Sequence, residues 1–286
     1  MPFQTPPRAP LPRLRSLLFV PGDRPDRMAK AAALDADALI LDLEDSVTLA
    51  AKPDARAAVA AFLAEPRHQL LFVRINPLDS GLAADDLAAV LGARPDGIVL
   101  PKAEGGASLA ALDAHLTGDM LILPIATETP AAVFAMGSYA GVSERLCGLT
   151  WGAEDLPAAI GASTARESDG SYTAPYQLAR SLTLFGAHAA GVAPIETVYP
   201  DFRDLDGLAA YAARGRRDGF TGMMAIHPSQ VPVINAAFSP SAGEIARAQA
   251  IVDLFAANPG AGALSMDGRM IDAPHLKAAL ALLARA

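Results

Sequence analysis

The chain has 286 residues, 52% of them hydrophobic, so it is long enough to bury a full core in one large domain. Its net charge of -8, with both signs mixed along the sequence, argues against a nucleic-acid binder, which needs a basic surface to neutralise phosphates. The single cysteine, Cys147, excludes an internal disulfide framework, and no apolar run approaches the ~20 residues that span a bilayer.

Residues 1–13 form the first segment, which is rich in proline and arginine and lacks the apolar core of a signal peptide. We predict a loose N-terminal arm here, on a cytoplasmic protein. Short apolar runs follow, and they lack polar alternation, as is typical of parallel strands covered on both faces. These runs are residues 17–20, 38–43, 70–75, 97–100, 120–125, 146–151, 194–199 and 222–226.

Between the runs lie alanine- and leucine-rich stretches with helical periodicity and helix start signals, such as Pro25 near a first turn. The predicted helices are residues 25–34, 53–63, 83–91, 108–116, 130–136, 175–190, 205–217, 229–237 and 242–256. About eight βα units with short connections predict an α/β fold, a closed TIM (β/α)8 barrel. A doubly wound open sheet is the alternative, but it usually needs fewer units.

The pattern changes near Asn258, where residues 258–262 form a cluster that breaks regular structure. A short polar turn at residues 266–269 and a helix over about residues 274–286 follow. We therefore predict a barrel domain over residues 1–257 and a C-terminal helical extension over residues 258–286. Because this extension follows the eighth unit, we expect a lid or an arm that reaches a neighbouring subunit.

Charged side chains gather where the predicted strands end. In a barrel these positions share one face, and active sites are built there. Singly, an acid at such a position often only stabilises the N-terminus of the next helix. Together, converging carboxylates need a cation or a cationic substrate to relieve their repulsion. The polar residues at these positions are Asp23, Arg24, Asp42, Glu44, Asp45, Arg74, Asn76, Lys102, Glu104, Glu128, Glu154, Asp155 and His227.

Glu128 and Asp155 follow adjacent predicted strands and together predict a metal site. Oxygen ligands without a His/Cys cluster point to Mg²⁺ rather than Zn²⁺, and Mg²⁺ keeps several waters beside one or two carboxylates. Arg74 either pairs with the acids after the second run or contacts a substrate oxyanion, and the two roles are compatible. Arg24 and Lys30 either form a solvated helix face or contact phosphates at a helix start.

In their order, these residues resemble the citrate lyase β-subunit and malyl-CoA lyase family of the HpcH/HpaI aldolase superfamily. Short motifs from Arg15 almost to the end of the chain carry the resemblance. They are residues 15–25, 41–47, 73–76, 100–102, 127–130, 152–156, 225–230 and 267–274. The resemblance implies a TIM barrel whose C-terminal extension closes over a neighbouring subunit's site, in a homotrimer or a hexamer.

The resemblance also implies roles for single residues. The metal carboxylates of the family map onto Glu128 and Asp155, its substrate arginine onto Arg74, and a proton-transferring acid of its tail onto Asp272. The acids Asp42, Glu44 and Asp45 would hold Arg74 in place. Family positions that contact the CoA moiety or line the substrate pocket map onto Phe19, Arg24, Lys30, Glu154, Ile226 and His227.

The implied activity is a Mg²⁺-dependent carbon–carbon lyase. It would cleave a malyl- or citramalyl-CoA thioester to acetyl-CoA plus glyoxylate or pyruvate, or run the reverse condensation. Three alternatives stay open: a citrate lyase β subunit acting on citryl groups of an acyl-carrier protein to give oxaloacetate, a malyl-CoA thioesterase or malate-synthase-like enzyme, and a non-catalytic barrel scaffold. The only tryptophan, Trp151, is predicted to pack in the core without a cofactor role.

Overall fold

The computed structural model describes residues 12–285. The N-terminal arm predicted over residues 1–13 lies almost entirely outside this range. Within the range, no helix combines the length and the apolar character that crossing a bilayer requires.

Parallel strands form a nearly closed barrel with helices between them, as the apolar runs predict. The strands pair in the order β5-β4-β3-β2-β1-β8-β7-β6. Strands such as β2 are buried at every position, which explains why each reads as a continuous apolar run in the sequence. The strands are β1 (Ser16–Pro21), β2 (Ala38–Asp42), β3 (Leu70–Arg74), β4 (Gly97–Leu100), β5 (Leu121–Pro124), β6 (Gly148–Thr150), β7 (Ala193–Glu196) and β8 (Gly222–Ala225).

The seam between β5 and β6 is less regular than the other strand pairs. It is held by isolated bridges from Ile122 to Leu146 and from Ile125 to Thr150. Between the two bridges the β5 segment advances by three residues and the β6 segment by four. Pro124 lies between the bridges and has no N–H to donate, which interrupts the ladder. Hydrogen bonding resumes at Ala126, whose N–H donates to the Thr150 carbonyl at 2.8 Å.

The helices that connect the strands begin and end within a few residues of their predicted positions. One of them, α6, has no counterpart in the prediction, because six residues are too few to show helical periodicity. The helices are α1 (Pro25–Ala31), α2 (Lys52–Leu63), α3 (Ala83–Val90), α4 (Gly106–Asp113), α5 (Pro130–Phe134), α6 (Asp155–Ile160), α7 (Ala174–Ala190), α8 (Leu205–Asp218) and α9 (Gln230–Phe238).

The chain divides into two compact units between Ala237 and Phe238. The second unit contains α10 (Ala242–Ala257), a hairpin of β9 (Ala263–Met266) and β10 (Arg269–Asp272), and α11 (Ala273–Leu283). Asp267 and Gly268 join the hairpin with φ of 51° and 72°, as a two-residue turn of type I′ requires. The sequence predicts this turn but not its short strands. The domain boundary predicted at residue 258 and the lid role stay predictions.

Side chains from the strands fill the barrel interior. The core cluster includes Leu17, Ile40, Phe72, Leu123 and Ile195, all fully buried. Close packing explains one glycine of β4. A Cβ at this position, residue 97, would lie 2.3 Å from an atom of the Phe72 ring, so only glycine leaves room for the phenyl group.

Truncating Phe72 to alanine should lower the free energy of unfolding by about 3–5 kcal/mol, because a buried aromatic ring leaves a cavity that the rigid barrel cannot close. Urea or guanidinium unfolding followed by circular dichroism measures this loss. Phe134→Ala is the matched control, since the Phe134 side chain is 93% exposed and should contribute little. Equal losses for the two variants would contradict a close-packed interior.

Candidate active site

A cleft of about 450 Å³ opens at the C-terminal ends of the strands. Another cleft, of about 700 Å³, lies at the opposite ends near Leu70 and Leu121, but none of the predicted site residues lines it. Barrel enzymes use the C-terminal face, so the smaller cleft is the candidate site. Asp272 belongs to the second unit, where it precedes α11. The predicted site residues that line the smaller cleft are Phe19, Asp42, Asp45, Arg74, Glu128, Glu154, Asp155 and Ile226.

Arg74, the last residue of β3, is held by two buried acids from the end of β2. Its Nε and Nη2 each donate to one carboxylate oxygen of Asp42 at 2.7 Å, and its Nη1 lies 2.9 Å from Oε2 of Glu44. The guanidinium carbon lies 4.8 Å from the centre of the Phe19 ring. Burial opposes the charge on Arg74, but the surrounding acids raise its pKa, so the group stays cationic. The predicted salt bridge therefore exists and fixes the guanidinium at the cleft.

Asp42 and Glu44 respond differently to this environment. Burial alone would raise the pKa of Asp42, but its hydrogen bonds and attraction to Arg74 outweigh burial and lower it. Burial and the negative charge of Asp45 raise the pKa of Glu44 more than Arg74 and Lys102 lower it. Asp42 is thus the fixed anionic partner of Arg74, while the charge on Glu44 is shared between two cations.

Lys102, directly after β4, links three acids of the site. Its Nζ donates to Oε1 of Glu44 at 2.7 Å and lies 3.8 Å from Oδ1 of Asp155. Its backbone N–H donates to Oε2 of Glu128 at 2.5 Å. The φ of Lys102 is 49°, in the left-handed region that few residues other than glycine adopt. Strained backbone of this kind clusters at functional sites, and here it turns the N–H toward Glu128.

Glu128, after β5, is 3% exposed. Burial raises its pKa to about 8; the Lys102 N–H lowers the pKa, whereas the negative charges of Glu44 and Asp155 raise it further. The carboxylate fits only because residue 152 is glycine. A Cβ on Gly152 would lie 2.9 Å from Cγ of Glu128.

The residues present fit a magnesium ion. Within residues 12–285, no group of three or more His, Cys, Asp or Glu side chains is arranged to hold a metal. Mg²⁺ does not need one, because it binds through one or two carboxylates and keeps waters for substrate oxygens to displace. The mutual repulsion of Glu128 and Asp155 is the feature that a divalent cation would relieve. Their assignment as its ligands stays a prediction.

The basic residues of α1 differ in their placement. Arg24 and Lys30 are exposed and do not line the cleft, and Arg24 pairs with Asp26 at 3.3 Å. Arg27, between them, does line the cleft. The three cations lie along α1, with Arg24 just before its first residue and Lys30 in its last turn.

The backbone of Ile226 and His227, after β8, is fixed by one buried amide. Oε1 of Gln230 accepts the N–H groups of Ile226 and His227 at 2.8 and 3.2 Å, and its Nε2 donates to the Tyr199 carbonyl at 2.8 Å. Ile226 is 41% exposed and lines the cleft, whereas the His227 ring stacks on Phe202 with centroids 4.7 Å apart. His227 is therefore not among the residues that line the cleft.

Lys102, Arg27, Gly152 and Gln230 are not among the predicted site residues. The sequence contains a signal for three of them, since Lys102 follows a predicted strand, and Gly152 and Gln230 lie within the motifs that carry the family resemblance. Arg27 had none, since its position does not differ from that of other charges on a solvated helix face.

The chain matches the family described as HpcH/HpaI aldolase/citrate lyase over residues 15–228. A citrate lyase subunit beta-like protein of Mycobacterium tuberculosis is 38% identical, with 94% of each chain covered. A (3S)-malyl-CoA thioesterase of Cereibacter sphaeroides is 34% identical, covering 95% of this chain and 94% of that one. The mitochondrial citramalyl-CoA lyase of Homo sapiens is also 34% identical, covering 94% and 84%.

Among solved structures, the chain is similar to the protein CitE from Mycobacterium tuberculosis in complex with magnesium, acetoacetate and coenzyme A. The TM-score is 0.81 at 36% sequence identity, with 95% of this chain and 97% of that chain covered. The likeness therefore extends over both units of the chain.

Asp42→Asn should remove a part of the stability that depends on pH. A carboxyl group whose pKa is lowered by folding stabilises the folded chain above its unfolded pKa, and this stability is lost as pH falls through the folded value. Urea unfolding at a series of pH values should therefore show a steeper loss for the unmodified chain than for Asp42→Asn below about pH 4. Parallel curves for the two proteins would contradict the Asp42–Arg74 pairing.

Gly152→Ala should weaken Mg²⁺ binding about 10-fold, since the new Cβ displaces Glu128 and shifts of this kind in the surroundings of a ligand reduce metal affinity by such factors. Isothermal titration calorimetry measures the affinity. Gly92→Ala is the matched control, because its Cβ would meet nothing within 4 Å. Unchanged Mg²⁺ affinity in Gly152→Ala would show that metal binding does not depend on the present position of Glu128.

Proposed function

Because the chain belongs to the HpcH/HpaI aldolase/citrate lyase family, we propose that it is a Mg²⁺-dependent carbon–carbon lyase for a malyl- or citramalyl-CoA thioester. The products would be acetyl-CoA and glyoxylate or pyruvate, and the same site would serve the reverse condensation. Relatives named for lyase activity and a similar structure holding magnesium, acetoacetate and coenzyme A support this proposal. The observation that carries it is a fixed guanidinium, Arg74, facing one cleft with Glu128 and Asp155.

Glu128 and Asp155 would hold the metal ion. When bound, Mg²⁺ supplies Lewis-acid polarisation of the substrate's keto or hydroxyl oxygen. The other acids serve a different purpose. Asp42 and Glu44 are neutralised by Arg74 and Lys102, so they do not compete for the ion.

Arg74 would stabilise the negative charge that develops on the acetyl-thioester fragment as the carbon–carbon bond breaks. Its guanidinium is already held by Asp42 and Glu44, so it needs no reorganisation at the moment of reaction. Preorganised charge in a site with little water is the largest single source of catalysis in many enzymes. As the carbon–carbon bond breaks, the substrate hydroxyl loses a proton and becomes the keto group, and Asp272 would pass a proton to the acetyl carbon, in a homotrimer or hexamer in which the tail reaches a neighbouring subunit.

The cations of α1 would meet the phosphates of coenzyme A. Arg24 and Lys30 are exposed, and Arg27 lines the cleft, so this surface lies open to a large polyanion. Phe19 and Ile226 supply apolar surface at the cleft. An acyl-carrier protein as carrier is the alternative, and it would present the same thioester to the same cleft.

Hydrolysis of the thioester is the second candidate function. A (3S)-malyl-CoA thioesterase matches this chain as well as the citramalyl-CoA lyase does, at 34% identity. A scaffold without activity is disfavoured, because Arg74, Glu128, Asp155 and Asp272 are all present.

The direct test incubates the purified chain with Mg²⁺, acetyl-CoA and glyoxylate or pyruvate and identifies the product by mass. A malyl- or citramalyl-CoA product supports the lyase, and a free acid supports the thioesterase. Activity only with a carrier-protein thioester would move the assignment to the citrate lyase type. No turnover with any of these substrates would refute the proposed function.

Glu128→Gln and Asp155→Asn should each abolish Mg²⁺ binding and reduce turnover more than about 100-fold, because each removes a charged ligand. Glu128→Gln should unfold at the same or a higher urea concentration than the unmodified chain. The reason is that burial raises the pKa of Glu128 to about 8, so its ionised form is disfavoured in the folded chain at neutral pH. Asp54→Asn, on the exposed face of α2, is the control and should keep full turnover.

A further inference from the structure

Glu196, the last residue of β7, is a fully buried carboxylate that the proposed chemistry does not use. Its Oε1 accepts hydrogen bonds from Nε1 of Trp151 at 2.5 Å, from the hydroxyl of Tyr211 at 3.0 Å and from the N–H of Thr197 at 3.0 Å. Its Oε2 accepts from Nε of Arg180 at 2.7 Å. Both oxygens are therefore satisfied by protein groups.

The charge of Glu196 is also balanced. Arg180 lies against Glu196 and extends its Nη1 to Asp218 at 2.8 Å, while its guanidinium carbon lies 4.7 Å from the centre of the Phe220 ring. A buried carboxylate with an ion-pair partner and three further donors has no need of a metal or a substrate. Glu196 is thus a structural acid that holds the groups around it in place.

One of its partners leads directly to the candidate metal site. Trp151, directly after β6, is fully buried, and Gly152 follows it. Gly152 exchanges hydrogen bonds with Thr127, since its N–H donates to Oγ1 and its carbonyl accepts from the same hydroxyl, both at 3.1 Å. Gly152 also packs against Glu128. Gly152 is therefore held between the Trp151 backbone and Thr127, beside the Glu128 side chain.

Asp155 depends on the same segment. It begins α6, directly after the short loop that starts at Gly152. On the other side, Thr197 and Val198 follow Glu196 and line the cleft. The Glu196 carboxylate thus links the end of β7 to Trp151, directly after β6. The loop that leads to Asp155 begins at this link.

We infer that Glu196 and Trp151 form a positioning pair for the metal site, in which the indole N–H anchored on Glu196 sets the places of Glu128 and Asp155. This inference rests on the proposed function, because it takes those two acids as the ligands of Mg²⁺. The physical reason is general: groups behind the ligands orient them, and a site whose supporting contacts loosen binds its metal less tightly.

Trp151→Phe tests the pair, because it removes the indole N–H and keeps a buried aromatic ring. Mg²⁺ binding to the full chain, cleared of metal with a chelator, is measured by isothermal titration calorimetry, and the dissociation constant should rise about 10-fold. Tyr211→Phe is the matched control. It also removes a donor to Oε1 of Glu196, but from α8, which carries no residue of the metal site, so stability should fall while Mg²⁺ affinity stays unchanged.

Glu196→Gln gives a second route that does not depend on how well Trp151→Phe folds. Trp151 is the only tryptophan of the chain, so its fluorescence emission reports directly whether the variant changes the indole environment. The emission should shift, and Mg²⁺ affinity should fall as in Trp151→Phe. Both substitutions act through the hydrogen bond between Trp151 and Glu196. The double variant should therefore bind Mg²⁺ no more weakly than whichever single variant has the lower Mg²⁺ affinity.

The outcomes separate the two proposals. If the unmodified chain binds no Mg²⁺, the proposed metal site and this inference both fall. If it binds Mg²⁺ and both Trp151→Phe and Glu196→Gln bind it equally well, with lower stability only, Glu196 is merely structural and this inference alone is overturned. Additive losses in the double variant would likewise overturn the pairing.

Discussion

Repulsion among carboxylates at one end of the barrel is the constraint on which the site depends. Parallel strands bring their C-terminal ends together, so acids that are far apart in sequence meet there even though their negative charges repel one another. Arg74 and Lys102 resolve part of the conflict, since Arg74 pairs with Asp42 and Glu44, and Lys102 pairs with Glu44. Glu128 is left with a hydrogen bond from a backbone N–H, and its pKa is raised to about 8. A divalent cation would complete the balance at this position.

Backbone geometry allows these charges to stand so close. Lys102 has a left-handed backbone conformation and contacts two acids: its N–H donates to Glu128 and its ammonium group donates to Glu44. Gly152 lets the next strand approach the Glu128 side chain more closely than any other residue would allow. Gly152 lies beside the irregular seam between β5 and β6, where Pro124 interrupts the ladder, whereas Lys102 follows β4 on the other side of β5. The barrel supplies rigidity, and these local departures from regularity place the carboxylates.

The sequence predicts the fold well because its signals are local. A strand covered on both faces must be apolar throughout, and residues 97–100 are recognisable as β4 for that reason alone. The short helix α6 and the hairpin strands are too brief to show a period. Side-chain partners are harder still, because Trp151 meets Glu196 across 45 positions of sequence. Trp151 is indeed buried as predicted, but only the folded chain shows which acceptor its N–H finds.

Overall similarity does not separate cleavage of the carbon–carbon bond from hydrolysis of the thioester, since relatives named for each match equally well. In the proposed site both reactions would use the metal and Arg74, but they differ in their need for water. Hydrolysis requires a water at the thioester carbonyl, whereas carbon–carbon cleavage is favoured by its exclusion. Phe19, Ile125, Met224 and Ile226 line this cleft together with Arg74. Ser46, Glu154 and Thr197 line the same cleft with polar side chains that can hold a water, so the side that the thioester carbonyl faces decides between the two reactions.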